Sequence, residues 1–166
     1  MAKKNLQGDH ENKDVRPELP PGVKLLHTLE GHQGTVFTVT FDPQGGMLAS
    51  GSYDKTVKLW EMRSGKLLRT LEGHQEAVWS VVFDPQGGTL ASGSADKTVK
   101  LWDERSGKLL RSLKGHQEAI SSVAFDSQGR MLASGSADGT VKLWKVRTGK
   151  LLRTLEGRPY AVWRGV

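Results

Sequence analysis

The sequence LASGSADKTVKLW at Leu90–Trp102 decides the fold of this 166-residue chain. It recurs as LASGSYDKTVKLW at Leu48–Trp60 and as LASGSADGTVKLW at Leu132–Trp144. The tryptophans that end the three copies are spaced 42 residues apart each time. Self-similarity at one fixed period of roughly 20 to 50 residues is the signature of a repeat array. The chain is therefore predicted to stack copies of one structural unit.

Each copy reads as four short strands. The quoted stretch holds two of them, joined by a tight turn at Asp-Lys or Asp-Gly. One strand precedes them, at Val36–Phe41, Val78–Phe83 and Ile120–Phe125, and ends in a turn of the type Asp-Pro-Gln-Gly or Asp-Ser-Gln-Gly. A last strand, Lys-Leu-Leu-Arg-Thr-Leu in the first copy, follows a Ser-Gly or Thr-Gly turn. The unit is predicted to be a four-stranded antiparallel meander.

Each unit also carries a Gly-His pair whose histidine lies 28 residues before the tryptophan, and an Asp six residues before it. This pattern resembles the WD-repeat β-propeller family, although only Trp102-Asp103 has the literal Trp-Asp pair. Glu61 and Lys145 follow the other two tryptophans. The resemblance implies an all-β fold of β-propeller blades, each a four-stranded antiparallel sheet. Three complete blades are expected, at residues 34–72, 76–114 and 118–156.

The sequence around these blades is out of phase with them. Residues 1–22 are polar and close with Pro20, Pro21 and Gly22, which predicts a flexible lead-in. In the predicted repeat segment, residues 23–166, residues 23–30 match an outer, fourth strand and residues 160–165 a partial first strand. Propellers have about four to eight blades, so three blades would expose two apolar faces. We predict that oligomerisation completes the ring, with a homodimer favoured and a trimer as the alternative.

An Asp, a His and a Ser accompany the tryptophan of each unit and superficially match a nucleophilic triad. In the family that the sequence resembles, these residue types form a buried hydrogen-bond network from the turn Asp through His and Ser to the indole. Three tandem copies of one active site would be improbable, so a structural role is predicted. The residues concerned are His32, Ser50, Asp54 and Trp60; His74, Ser92, Asp96 and Trp102; His116, Ser134, Asp138 and Trp144.

A candidate partner-binding face follows from the same resemblance. Similar propellers contact ligands around the central channel, near the start of each first strand and at the residue before the turn Asp. Several of these positions differ between otherwise similar copies, and large aromatic side chains beside alanines are typical of an interaction hot spot. The predicted face comprises Thr35, Phe37, Tyr53, Ala77, Trp79, Ala95, Ser121, Ala137 and Trp163. The alternative is that the aromatic residues only pack between blades.

Charge and composition restrict the remaining function classes. The formal net charge is +6, and basic residues recur on the fourth strands at Lys66, Arg69, Lys108, Arg111, Lys114, Lys150 and Arg153. A basic rim attracts nucleic acid, but acidic residues interleave nearby, and neither a recognition helix nor an RNA-binding motif is present. Cysteine is absent, which excludes disulfides. No signal peptide or apolar span is evident, so a cytoplasmic location without membrane partners is the default expectation.

The sequence contains no pattern that points to catalysis, a metal or a cofactor. His10 and His27 are isolated, and the glycines do not precede a helix as a phosphate-binding loop requires. We predict a non-catalytic scaffold for a protein or peptide partner. The alternatives are a self-assembling structural fragment or engineered repeat array without a specific ligand, and a nucleic-acid-binding ring.

Overall fold

The computed structural model describes residues 20–156, which form three four-stranded antiparallel sheets. Each sheet pairs its strands in chain order, which confirms the predicted meander and the all-β fold class. Blade 1 contains β1 (Val36–Phe41), β2 (Met47–Ser52), β3 (Val57–Glu61) and β4 (Leu67–Leu71). Blade 2 contains β5 (Val78–Phe83), β6 (Thr89–Ser94), β7 (Val99–Asp103) and β8 (Leu109–Leu113). Blade 3 contains β9 (Ile120–Phe125), β10 (Met131–Ser136), β11 (Thr140–Lys145) and β12 (Lys150–Glu156).

The hairpin between the second and third strands has the same register in every blade. In blade 1, Leu48 lies opposite Trp60 and Gly51 lies opposite Val57. The turn that joins them needs one residue with positive φ. Lys55 (71°) and Lys97 (69°) take this conformation in blades 1 and 2, and Gly139 (80°) takes it in blade 3. Only the glycine adopts this region without steric cost.

Successive blades pack face to face, and both sheet faces are apolar for this reason. The back face of a blade, which points toward the next blade, carries Ala49, Val57, Leu59 and Leu71 in blade 1. The front face, which points toward the previous blade, carries Val78, Val81, Phe83, Leu90 and Trp102 in blade 2. These two sets form one buried cluster. A second cluster joins blades 2 and 3 in the same way through Ala91, Val99, Leu101, Leu113, Ile120, Val123, Leu132 and Trp144.

Two apolar faces at the ends of this stack have no blade against them within residues 20–156. On the front face of blade 1, Val36, Val39 and Phe41 are 46%, 61% and 59% exposed. The residues at the same places in blade 2 are at most 5% exposed. On the back face of blade 3, Val141 and Leu155 are 39% and 45% exposed.

Residues 23–30, predicted from sequence as an outer strand, lie in no strand of the single chain. A strand requires a hydrogen-bonded neighbour, and the described part of the chain supplies no third strand beside this segment. Leu25 and Leu26 are accordingly exposed. The predicted strand at 160–165 and most of the lead-in lie outside the described residues. Within residues 20–156, no helix is long and apolar enough to cross a membrane.

Candidate functional site

The Asp, His, Ser and Trp side chains of each unit meet in one hydrogen-bonded chain. In blade 2, His74 Nδ1 lies 2.7 Å from Asp96 Oδ2, and His74 Nε2 lies 2.8 Å from Ser92 Oγ. The indole Nε1–H of Trp102 donates to the same Ser92 Oγ over 2.8 Å. With a neutral imidazole, His74 donates to the carboxylate from Nδ1 and accepts the serine proton at Nε2. Each polar group of the chain then has a partner.

Blades 1 and 3 repeat this geometry closely. The His–Asp distance is 2.8 Å in both, and the Trp–Ser distance is 2.8 Å in both. The His–Ser distances are 2.8 and 2.9 Å. The structure therefore brings together all twelve residues that the sequence singled out, in three sets. Ser52, Ser94 and Ser136 lie two residues further along β2, β6 and β10 and instead donate to backbone carbonyls.

The turn carboxylate is the hydrogen-bonding centre of each set. Burial acts to raise the pKa of Asp96. Hydrogen bonds from His74, Thr98 and the backbone N–H of Gln75 outweigh this effect and hold the pKa well below its usual range. The pKa values of Asp54 and Asp138 are lowered in the same way, against burial, by the corresponding hydrogen bonds. Each carboxylate is thus an anion at neutral pH. Its bonds tie the turn to the loop that enters the blade.

The arrangement does not suit nucleophilic catalysis. Ser92 and Ser134 are fully buried, and Ser50 is nearly so. Each hydroxyl oxygen already accepts a hydrogen bond from the indole N–H. Because the hydroxyl is buried, a substrate carbonyl has no path to it. In chemical terms, the network can hold the entry loop, the second strand and the third strand of a blade in one geometry.

A groove of about 500 Å³ opens between blades 1 and 2, at the end of the blades that carries these turns. Phe37 and Tyr53 line it from blade 1, with their rings in edge contact and centroids 6.5 Å apart. Ala77, Trp79 and Ala95 line it from blade 2. The three aromatic side chains are all exposed, while Ala77 is buried in the floor. Five of the nine residues predicted for a binding face therefore share one groove.

The other predicted residues lie elsewhere. Thr35 is exposed on the loop before β1, and its carbonyl accepts the N–H of Tyr53. Ser121 and Ala137 are exposed on blade 3 and do not line the groove. Trp163 lies outside the described residues.

Glu76 lines the groove and was missed from sequence. Its carboxylate lies 3.6 Å from Lys55 Nζ, so this ion pair bridges blades 1 and 2. Lys97 and Glu118 form the same bridge between blades 2 and 3, at 3.4 Å. The sequence did carry a signal, because Gly34 stands where the later copies have Glu.

The family model "WD domain, G-beta repeat" (WD40) matches residues 23–61, 65–103 and 107–145, which is more than half of the chain. The chain belongs to the WD40-repeat family. A solved structure of the RRP9 WD40 repeats superposes on this WD40 chain with a TM-score of 0.76 and 30% identity. The match covers 78% of this chain and 41% of that one.

Curated relatives match over about one repeat. The Periodic tryptophan protein 2 homolog of Schizosaccharomyces pombe is 51% identical over 41 residues, which are 25% of this WD40 chain and 5% of the relative. The Eukaryotic translation initiation factor 3 subunit I of Neurospora crassa is 49% identical over 41 residues, or 12% of its length. The chain thus spans a small part of these relatives.

Among residues 20–156, no group of three or more His, Asp or Glu side chains could hold a metal ion.

Proposed function

We propose that this WD40 chain is a non-catalytic scaffold that binds a segment of a protein partner in the groove between blades 1 and 2. The observation that carries the proposal is the cluster of exposed Phe37, Tyr53 and Trp79 around the small side chains of Ala77 and Ala95. Exposed apolar patches of this kind mark interaction sites, and aromatic residues are enriched among those that dominate binding energy. The shape suits a peptide or loop that inserts one large apolar side chain.

The hydrogen-bond networks support this role by fixing the walls of the groove. Tyr53 directly precedes the network carboxylate Asp54, and the Gln33 N–H donates to the same carboxylate. Asp96 fixes the corresponding turn beside Ala95. A site whose loops are already ordered loses less conformational entropy on binding. We propose that the networks act structurally, as a rigid support for the groove.

The name of the Neurospora crassa relative describes a subunit of a larger factor, which supports a role within protein assemblies. We propose that copies of this chain also associate with each other, so that the two open apolar faces are covered. The cytoplasmic location expected from the sequence stays a prediction.

The experiment that tests the groove selects peptides from a display library on the purified chain and measures one synthetic peptide by calorimetry. Trp79→Ser installs the residue of the third repeat, Ser121, and Tyr53→Ala installs that of the second, Ala95, so both variants should fold. Each should weaken binding by at least about tenfold, as expected for an interface hot spot. Met62→Glu, which copies Glu104 in the turn between β3 and β4, is the control and should bind normally. Failure to select any peptide, or equal affinities in all variants, would refute the groove.

A further inference from the structure

The two open faces of the blade stack are complementary to each other. We propose that the back face of blade 3 in one copy packs against the front face of blade 1 in a second copy, repeating the contact between successive blades within the chain. This contact is called the seam below. The inference rests on the proposed self-association and specifies the surfaces that form it.

The residues of the seam match those of the buried interfaces position by position. On the front side, Val36, Val39 and Phe41 occupy the places of Val78, Val81 and Phe83, which are buried against blade 1. On the back side, Val141 and Leu155 occupy the places of Val99 and Leu113, which are buried against blade 3. Side chains at equivalent positions are therefore buried where residues 20–156 supply the next sheet and exposed where they do not. An identical chain supplies a sheet that fits.

A shape feature repeats in the same way. A Cβ atom built on Gly51 would lie 2.8 Å from Val78 Cγ1, and one built on Gly93 would lie 2.6 Å from Ile120 Cγ2. Each glycine thus receives a branched side chain from the next blade. At Gly135 in blade 3 the nearest atom is Ser121 Oγ of the same blade, 3.8 Å away, so no side chain from another blade enters this depression among residues 20–156. Val36 is the side chain in blade 1 that corresponds to Val78 and Ile120.

Charge distribution agrees with this pairing. The Lys55–Glu76 and Lys97–Glu118 pairs cross the two interfaces within the chain. Both lysines hold a positive φ, an unfavourable conformation for any residue but glycine. At the seam the corresponding residues are Gly139 and Gly34, so both members of the ion pair are absent together. Neither an unpaired lysine nor an unpaired glutamate is then left at that position.

The segment at residues 23–30 lies where the fourth strand of a preceding blade would lie. A Cβ atom on Gly65 would be 3.0 Å from the His27 ring, just as one on Gly107 would be 3.1 Å from the Arg69 side chain. Residues 24–30, KLLHTLE, differ from β12, KLLRTLE, at one position. The two segments are therefore similar enough to occupy the same place beside a third strand. Because β12 already pairs with β11 and carries the seam residue Leu155, residues 23–30 would give up this place to β12 of the second copy.

The geometry of the seam also limits the assembly. A contact between two different surfaces is heterologous and forms either a closed ring or an open filament. Two chains of three blades give six blades, within the range of about four to eight in which propellers close. A dimer with two seams is the expected assembly.

Sedimentation velocity of the full chain over a concentration series tests the inference. The wild-type chain should form a dimer. Gly135→Val fills the depression that receives Val36 and should be monomeric at concentrations where the wild type is dimeric. Ala137→Tyr is the control, because Tyr53 already occupies this place in the first repeat, and it should dimerise normally. Circular dichroism checks that both variants are folded.

A gain-of-function variant keeps the test independent of a destabilised fold. The double change Gly34→Glu with Gly139→Lys installs the missing ion pair at the seam and should tighten association by roughly twofold to fivefold at low salt. Each single change should not. A wild-type chain that stays monomeric would refute self-association altogether. An oligomer that is unaffected by Gly135→Val and by the double change would retain self-association and refute this surface.

Discussion

Removing one hydroxyl group from a buried network should destabilise the fold strongly. In Ser92→Ala, the indole N–H of Trp102 and His74 Nε2 both lose the oxygen that lies 2.8 Å from each. Ser92 is fully buried, so water cannot replace the lost partner without rearrangement. Each unsatisfied buried group costs about 1–3 kcal/mol. The expected loss in unfolding free energy is therefore roughly 2–6 kcal/mol, from the two groups together.

Urea denaturation followed by tryptophan fluorescence measures this loss, with wild type and variant at the same protein concentration. The midpoint temperature of thermal unfolding should fall by about 2–4 °C for each kcal/mol of unfolding free energy lost. Ser106→Ala is the matched control, because Ser106 is exposed and its hydroxyl bonds only to the Asp103 side chain and the N–H of Lys108 in the same turn. It should change stability by less than about 0.5 kcal/mol. If Ser92→Ala were as mild as Ser106→Ala, the network would not hold the blade together.

The lowered pKa values of Asp54, Asp96 and Asp138 stabilise the folded state fully above the unfolded-state pKa of about 3.9, and this stability is lost as the pH falls below it. The urea concentration at the unfolding midpoint should therefore stay constant from pH 7 to 5 and drop below pH 4. Asp96→Asn should make that drop smaller. Gly93→Ala places a Cβ atom 2.6 Å from Ile120 Cγ2, so overpacking should lower the unfolding free energy, measured by urea denaturation, by about 1–3 kcal/mol. An unchanged midpoint would contradict the packing of blades 2 and 3. Lys97→Gly removes the strain of a positive φ of 69° and loses an exposed ion pair, whereas Lys97→Ala loses the ion pair and keeps the strain. In urea denaturation the glycine variant should be more stable than the alanine variant by about 1 kcal/mol. The reverse order would contradict a strained turn.

Local strand positions could be predicted from sequence because each strand is bounded by its own turn residues. The first strand of every unit, such as Val36–Phe41, has the predicted limits in the structure. Alternating apolar residues define its length, and Asp-Pro-Gln-Gly ends it. Residues 25–29, LLHTL, differ from β4, LLRTL, only at His27, but no described strand pairs with them. Their conformation depends on a partner that no local pattern encodes.

The groove was partly predictable for a similar reason. Phe37 and Trp79 occupy equivalent positions in successive copies, so the repeat itself indicated that they would face the same region. Glu76 was missed because its importance comes from its distance to Lys55 across two blades. The sequence also predicted too large a surface. Ser121 and Ala137 occupy the equivalent positions in blade 3, but they are not aromatic and do not line the groove.

Site-directed disulfide trapping tests most directly whether the blades continue from one copy to the next. The chain has no cysteine, so a Val36→Cys variant and a Gly135→Cys variant can be mixed and oxidised without background. Within the chain, a Cβ atom on Gly93 lies 3.2 Å from Ile120 Cβ, close to the spacing of about 3.5–4.5 Å that a disulfide needs. Gly93→Cys with Ile120→Cys is therefore an internal positive control.

Cross-linked chains are measured by mass spectrometry under non-reducing conditions. The mixture should yield a rapid mixed disulfide between the two variants, with twice the 18.2 kDa mass of one chain. Each variant alone should cross-link slowly, because the seam places Val36 against Gly135 and not against itself. Cross-linking that is equally slow in the mixture and in the separate variants, while the internal control closes, would contradict the seam.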